Sequence, residues 1–302
     1  MRVLVTGGAG NIGRDVTRLL CESGHEPTVY DLCPYPDARV RFVVGDIGDA
    51  ARLARTFEEA RPDGVIHLAG TLQFACEADP VGTIAVNVSG TAAVLEAARK
   101  SGAGRFVFAS SAAVYGTTAS EVDESSPIQA DVTVYGASKL LGERMLRRYR
   151  MLHGLTCRTV RFSTVLSSRP VSSPGIAAAV GKLLGIASGE DVAVSGIAAS
   201  ELRHFVHVAD AARGAVLALT ADVCEDELFN IAGGEDAYLS FEQLAALVRE
   251  MRPNSGRVSF SGASGNRGKI DWSRAATQLG YRPQYSIEQA IREAIESCPT
   301  KA

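Results

Sequence analysis

The chain has 302 residues, enough for one large or two modest domains and a substantial buried core. Its formal charge is −3 with both signs interspersed, so it carries no basic field for nucleic acid. The longest apolar runs, such as Ile176 to Val180, fall far short of the ~20 residues of a membrane-spanning helix, and the N-terminus lacks a signal-peptide layout, so a cytoplasmic protein without membrane contact is expected.

Arg2 to Thr6 reads as a short buried strand running directly into Gly7-Gly8-Ala9-Gly10-Asn11-Ile12-Gly13. A helix follows, with Val16, Leu19 and Leu20 on one face, and ends near Gly24. In a strand, glycine turn, helix context the glycines form a dinucleotide fingerprint: they permit a tight turn and close backbone approach, and the helix N-terminus faces a pyrophosphate. Gly7, Gly10, Asn11, Ile12 and Gly13 are the expected cradle. A second strand, Pro27 to Asp31, ends in an acid that can accept from ribose hydroxyls and would repel the extra phosphate of NADP, so Asp31 favours NAD. Val40 to Ile47 is a third strand and its exit, with Asp46 and Ile47 where an adenine would sit. Asp49 can cap a helix through Leu53 and Phe57 that stops before Pro62.

The fourth strand, Gly64 to Gly70, ends in Leu68, Ala69 and Gly70, again where a cofactor needs room, and His67 reads as a packed strand residue. Asn87 to Thr91 begin or interrupt a long helix reaching Lys100. Arg105 to Ser111 is a fifth strand, and Ser111 falls at its C-terminus, where ligands bind in such sheets. Tyr135-Gly136-Ala137-Ser138-Lys139 opens another helical run. Residues i and i+4 on a helix share a face, so the Lys139 ammonium can sit beside the Tyr135 phenol, lower its pKa from ~10 toward working pH and make it a base.

Thr156 to Phe162 reads as a sixth strand, followed by a stretch rich in loop formers, Ser167 to Gly175, that marks a lobe boundary. An apolar helix spans Ile176 to Ile186, Asp191 to Ser195 is a short strand, and Arg203 to Ala212 continues it. Ser240 to Arg249 is a further helix. The six cysteines, Cys21, Cys33, Cys76, Cys157, Cys224 and Cys298, form no CxxC pair, and His204 and His207 fall on opposite faces of a strand. No disulfide framework and no metal site are expected.

Five stretches, Thr6 to Gly13, His67 to Gly70, Asn87 to Thr91, Phe108 to Gly116 and Tyr135 to Lys139, together resemble the extended short-chain dehydrogenases/reductases, and more narrowly their NAD-dependent epimerase/dehydratase branch. The likeness continues through Arg203 to Ala212, Leu228 to Gly234 and Asp271 to Pro283. It implies an α/β fold: a Rossmann-type doubly wound parallel sheet over residues 1–162 and a smaller substrate-binding lobe over 163–302, with some segments returning to the sheet. It also implies Ser111, Tyr135 and Lys139 as a catalytic trio, Asn87 as a residue that helps fix the cofactor site, and a homodimer through the helices of Asn87 to Lys100 and Tyr135 to Tyr149. In relatives acting on nucleotide sugars, arginines matching Arg203 and Arg267 clamp the diphosphate.

The departures bear on substrate and reaction. Thr164 stands where relatives often place Asn against the sugar nucleotide, and Leu72 where 4-epimerases often carry Lys. Ser111 is followed by Ala112 and Ala113, whereas the resembling 4,6-dehydratases have Asp-Glu there, since elimination needs an additional acid and base. The first expectation is an NAD-dependent 4-epimerase of a nucleotide sugar. The alternative is a net dehydrogenase of a small polyol, aldonate, uronate or hydroxy acid. A third reading, a cofactor-binding sensor without turnover, is disfavoured by the intact Ser111, Tyr135 and Lys139.

Overall fold

Val3, Leu4 and Val5 are each at most 1% exposed, and the same continuous burial recurs at Val65 and Ile66 and at Phe106 to Phe108. Strands without a solvent face belong in a parallel sheet covered on both sides, and the computed structural model has that arrangement. It describes residues 1–302 except 168, 170–175, 223–226, 264 and 298–302, and except the side chains of 74, 176–179 and 297. The strands are β1 (Arg2–Thr6), β2 (Glu26–Asp31), β3 (Arg41–Val44), β4 (Gly64–His67), β5 (Arg105–Ser111), β6 (Thr156–Phe162), β7 (Thr164–Leu166), β8 (Val192–Ser195), β9 (Leu202–His207), β10 (Leu228–Ile231), β11 (Tyr238–Ser240) and β12 (Val258–Ser261).

Seven of them form one sheet in the order β10-β6-β5-β4-β1-β2-β3, every neighbouring pair parallel. Alternate side chains enter two cores: Val3, Val5 and Ile66 pack with Val16, Leu20 and Leu219, while Leu4 and Val65 pack with Leu53, Phe57 and Val94 on the other face. The strand order reverses between β1 and β4, which opens a crevice at their C-terminal ends. A smaller part of the chain holds the three-stranded sheet β11-β9-β7 and the pair β12-β8 around a third core that includes Leu183, Val194, Phe205, Leu244 and Ile291.

The second half differs from expectation in two places. Asp191 to Ser195 and the Arg203 strand do not continue one another: Gly196, at φ +78°, turns the chain, so β8 pairs β12 while β9 pairs β7 and β11. The latter strand also ends at His207 rather than at Ala212. There the His207 Nδ1 accepts the Ala209 N–H at 3.1 Å and caps the helix Val208–Thr220. Residues 168 and 170–175 of the expected lobe boundary, and Cys224 and Cys298, lie outside the described residues.

Asn87 does interrupt a helix: Ile84–Gly90 is a π-helical segment inside the continuous stretch Pro80–Ser101. That stretch is the one helix among the described residues long and apolar enough to cross a membrane by length and composition. Its Val94, Leu95 and Ala98 are fully buried in the protein core. In the sequence its apolar run is broken by Asn87 and Ser89.

Candidate active site

A cleft of about 930 Å³ lies over the crevice. Its floor is the glycine loop. Gly7 has φ +73°, and a Cβ there would lie 2.6 Å from the Ala69 nitrogen; one on Gly13 would lie 2.1 Å from the Gly7 oxygen. Only glycine lets the loop fold this tightly against β4. The helix Asn11–Glu22 then starts without a side-chain cap or an acid in its first turn, leaving its N-terminal N–H groups for an anion. Asp31 ends β2 beside the loop: one carboxylate oxygen accepts the Ala9 N–H at 2.9 Å and the other the Cys33 N–H at 3.0 Å. Asp46, Ile47, Leu68, Ala69 and Gly70 complete this end of the wall. The cradle suits a dinucleotide: backbone donors for phosphate, a carboxylate at the next strand, and small residues where bulk would intrude.

Ser111, Tyr135 and Lys139 meet at the middle of the same cleft. Ser111 ends β5 and its Oγ accepts the Ala113 N–H at 3.1 Å, closing a short helical turn that aims the hydroxyl inward. Thr133 caps the helix Val134–His153 through the Gly136 N–H, which places Tyr135 and Lys139 one turn apart on its first turns. The Tyr135 hydroxyl hydrogen-bonds Ser111. The Lys139 Nζ donates to the Ala109 carbonyl at 2.9 Å and lies 5.7 Å from the Tyr135 ring centre.

The electrostatics here differ from the expectation of an already acidified phenol. Burial pushes Tyr135 up to about 12, against the downward pull of the Ser111 hydrogen bond, and burial brings Lys139 down to about 8. The ammonium donates to a backbone carbonyl and sits beside the ring, and burial of the phenol outweighs the pull of Ser111. Asn87 stands behind the wall, against Gly70, rather than in it. Its carbonyl accepts the Thr71 N–H at 2.7 Å, and its amide donates to the Thr71 carbonyl at 3.1 Å and to Ser138 Oγ at 3.2 Å. It ties the segment after Gly70 to the Tyr135 helix. His67 is a packed residue as expected: it bridges Thr6 at 2.6 Å and Thr91 at 2.9 Å, and burial with the nearby Lys139 charge pulls it down to about 3.

The far wall carries Thr164, Arg203, His204 and Arg267. Arg203 is 8% exposed and paired with Glu201. Arg267 has Nε and Nη1 buried without a hydrogen-bond partner, and burial together with the neighbouring Arg203 brings it down to about 10. His204 is committed elsewhere: its Nδ1 accepts the Ile270 N–H at 3.0 Å and its Nε2 meets the Gly234 carbonyl at 3.2 Å. Arg14, Gln73 and Arg169 also line the cleft and carried no signal in the sequence. Arg169 pairs there with Asp15 across a long separation in the chain. Among the described residues no group of three or more His, Cys, Asp or Glu could hold a metal ion.

A dinucleotide cradle, a Ser-Tyr-Lys cluster and a cationic far wall in one cleft define a class, and comparison with known proteins identifies it. The sequence profile of the NAD-dependent epimerase/dehydratase family matches residues 3–232. A UDP-glucose 4-epimerase from Azospirillum brasilense is 32% identical, covering 97% of this chain and 94% of its own length. A dTDP-glucose 4,6-dehydratase from an Actinoplanes species is also 32% identical, over 98% of this chain and 97% of its own. Among solved structures, the Thermotoga maritima UDP-glucose 4-epimerase with UDP-glucose superposes with a TM-score of 0.87 at 25% identity, covering 98% of both chains. The L-threonine 3-dehydrogenase of Trypanosoma brucei reaches 0.88 at 21% identity over 99% of both chains, a likeness of fold. The chain belongs to the NAD-dependent epimerase/dehydratase family, and it is an NAD-dependent enzyme of the extended short-chain dehydrogenase/reductase type.

Proposed function

We propose that the protein is a 4-epimerase of a nucleotide sugar that uses NAD transiently and regenerates it in each turnover. The observation that carries this reading is Arg267: two buried, unpartnered N–H groups beside Arg203, in the same cleft as Ser111 and Tyr135, call for a polyanion that reaches to the reactive centre. A nucleoside diphosphate linked to a sugar has that shape and charge. The relatives named for UDP-glucose epimerisation support the same substrate class.

In this reading Gly7, Gly10, Asn11, Ile12 and Gly13 hold the pyrophosphate of NAD, Asp31 the adenosine ribose, and Asp46, Ile47, Leu68, Ala69 and Gly70 frame the remainder. Bound NAD supplies the hydride acceptor and then the donor. Tyr135 removes the proton of the sugar hydroxyl and later returns it. Ser111 donates a hydrogen bond to that oxygen while it is a carbonyl. Lys139 holds the nicotinamide ribose and keeps positive charge beside Tyr135. Arg203 and Arg267 grip the diphosphate, and Thr164 contacts the sugar. Dehydration is disfavoured because Ala112 and Ala113 supply no acid or base beside Ser111.

A second copy of the chain is expected against the helices that flank the site. Val81, Ile84 and Leu141 are 78%, 55% and 46% exposed on segments that pack together, and burying them between two protomers would remove that apolar surface from water. One observation favours net oxidation instead: Leu72 lines the cleft at the position where 4-epimerases often carry Lys. Incubating the enzyme with UDP-, GDP- and dTDP-sugars and with free aldonates and uronates, followed by chromatography, tests the choice. An epimerised nucleotide sugar is expected; oxidised acid with accumulating NADH would replace this reading.

A further inference from the structure

The two arginines of the far wall are not held independently. Glu201, two residues ahead of Arg203, is 2% exposed. Its Oε1 accepts from Arg203 Nε at 2.8 Å and also from Arg203 Nη2, while its Oε2 accepts the Gly265 N–H at 3.0 Å. Gly265 lies on the segment that carries Arg267. That segment is joined to the start of β9 twice more: Leu202 N–H donates to Asn266 Oδ1 at 2.9 Å, and Arg267 N–H donates to the Leu202 carbonyl at 3.1 Å. One buried carboxylate therefore bridges both cation-bearing segments.

By charge alone such a carboxylate opposes an anionic ligand, since it offsets one of the two guanidinium charges. Its geometry acts the other way. Two guanidinium groups at one wall repel each other, and each long side chain loses rotamer freedom when it is fixed in place. We propose that Glu201 is a positioning residue for the anionic part of the substrate: it locks the Arg203 guanidinium and the Gly265–Arg267 backbone together, so both arginines present their N–H groups to one diphosphate. This rests on the nucleotide-sugar reading above.

The two effects have opposite signs in Glu201→Gln, which keeps the size, removes the negative charge and leaves an amide unable to accept from both Arg203 and Gly265. Calorimetric titration of the NAD-loaded enzyme with UDP, GDP and dTDP reads the difference. For the nucleotide that binds the wild type, affinity is expected to fall about tenfold or more in Glu201→Gln despite the added positive charge. KM for the sugar nucleotide should rise with kcat little changed, and NAD affinity should stay at the wild-type value. In Arg203→Ala, adding Glu201→Ala should cost less than the same change costs the wild type, as coupled residues do. Nucleotide affinity that is unchanged or tighter in Glu201→Gln, a fall in NAD affinity of the same size, or fully additive losses in the double variant would each overturn the role of Glu201. A wild-type enzyme that binds NAD and none of the three nucleotides overturns the nucleotide-sugar reading, and this proposal with it.

Discussion

Arg267 lines the cleft, and its Nε and Nη1 are buried and unpartnered, an arrangement that costs the protein stability and that an anion drawn to the guanidinium would relieve. Arg267→Met should therefore leave the melting temperature of the ligand-free protein unchanged or higher while lowering nucleoside diphosphate affinity about tenfold or more. Calorimetry of both states checks the pair, and a destabilised protein with intact affinity would make Arg267 a structural residue. At Tyr135 a different separation is expected. Tyr135→Phe removes the proton acceptor but keeps the ring, so turnover should fall by roughly 10²–10⁴ with NAD affinity retained. Asp31 has two tasks in the proposed function, because the carboxylate assigned to the ribose also accepts the Ala9 N–H of the glycine loop. In Asp31→Ala, NAD affinity should fall without a matching gain for NADP; fluorescence titration with both cofactors would reveal a simple exchange of preference if the loop contact were dispensable.

At the scale of elements, His67 links β1 to the helix that follows Asn87 through Thr6 and Thr91. Its pKa lies at about 3 in the fold against 6.5 for a free imidazole, so between those values the unfolded chain binds the additional proton. The stability contributed by the neutral ring is fully present above pH 6.5 and is lost as pH falls toward 3, with a slope of up to about 1.4 kcal/mol per pH unit from this one group. Denaturant unfolding across that window should show a shallower loss in His67→Gln; an identical slope would mean that His67 is not the titrating group. Elements of this kind were partly legible in the sequence. β1, β4 and β5 announce themselves by apolar runs because both faces of each strand are covered, whereas β2 and β6 mix polar and apolar residues, β6 burying Arg158 and Arg161; the glycine loop and Tyr135-to-Lys139 spacing are local patterns. β7, β11 and β12 are only three or four residues long and exist through their tertiary partners, so no periodicity marks them. The bridge made by Glu201, the pairing of Arg169 with Asp15 and the inward turn of Asn87 each join segments distant in the chain, which spacing along one segment cannot express.

At the scale of the molecule, the parallel sheet sets the glycine loop and the Ser111, Tyr135 and Lys139 cluster at strand ends, while the smaller sheets carry Arg203 and lie against Arg267 at the opposite wall. In the proposed function both walls meet one substrate. Assembly should follow the exposed apolar residues of the flanking helices: Ile84→Arg is expected to convert a dimer to monomers by sedimentation velocity, and a monomeric wild type would remove that interface. The central claim, that hydride leaves and returns to the same sugar within one enzyme, is tested by supplying the nucleotide sugar that turns over with deuterium at its reacting carbon. The label should remain on that carbon in the epimerised product, with no build-up of reduced cofactor. Deuterium accumulating in released or bound NADH, alongside an oxidised product, would contradict it.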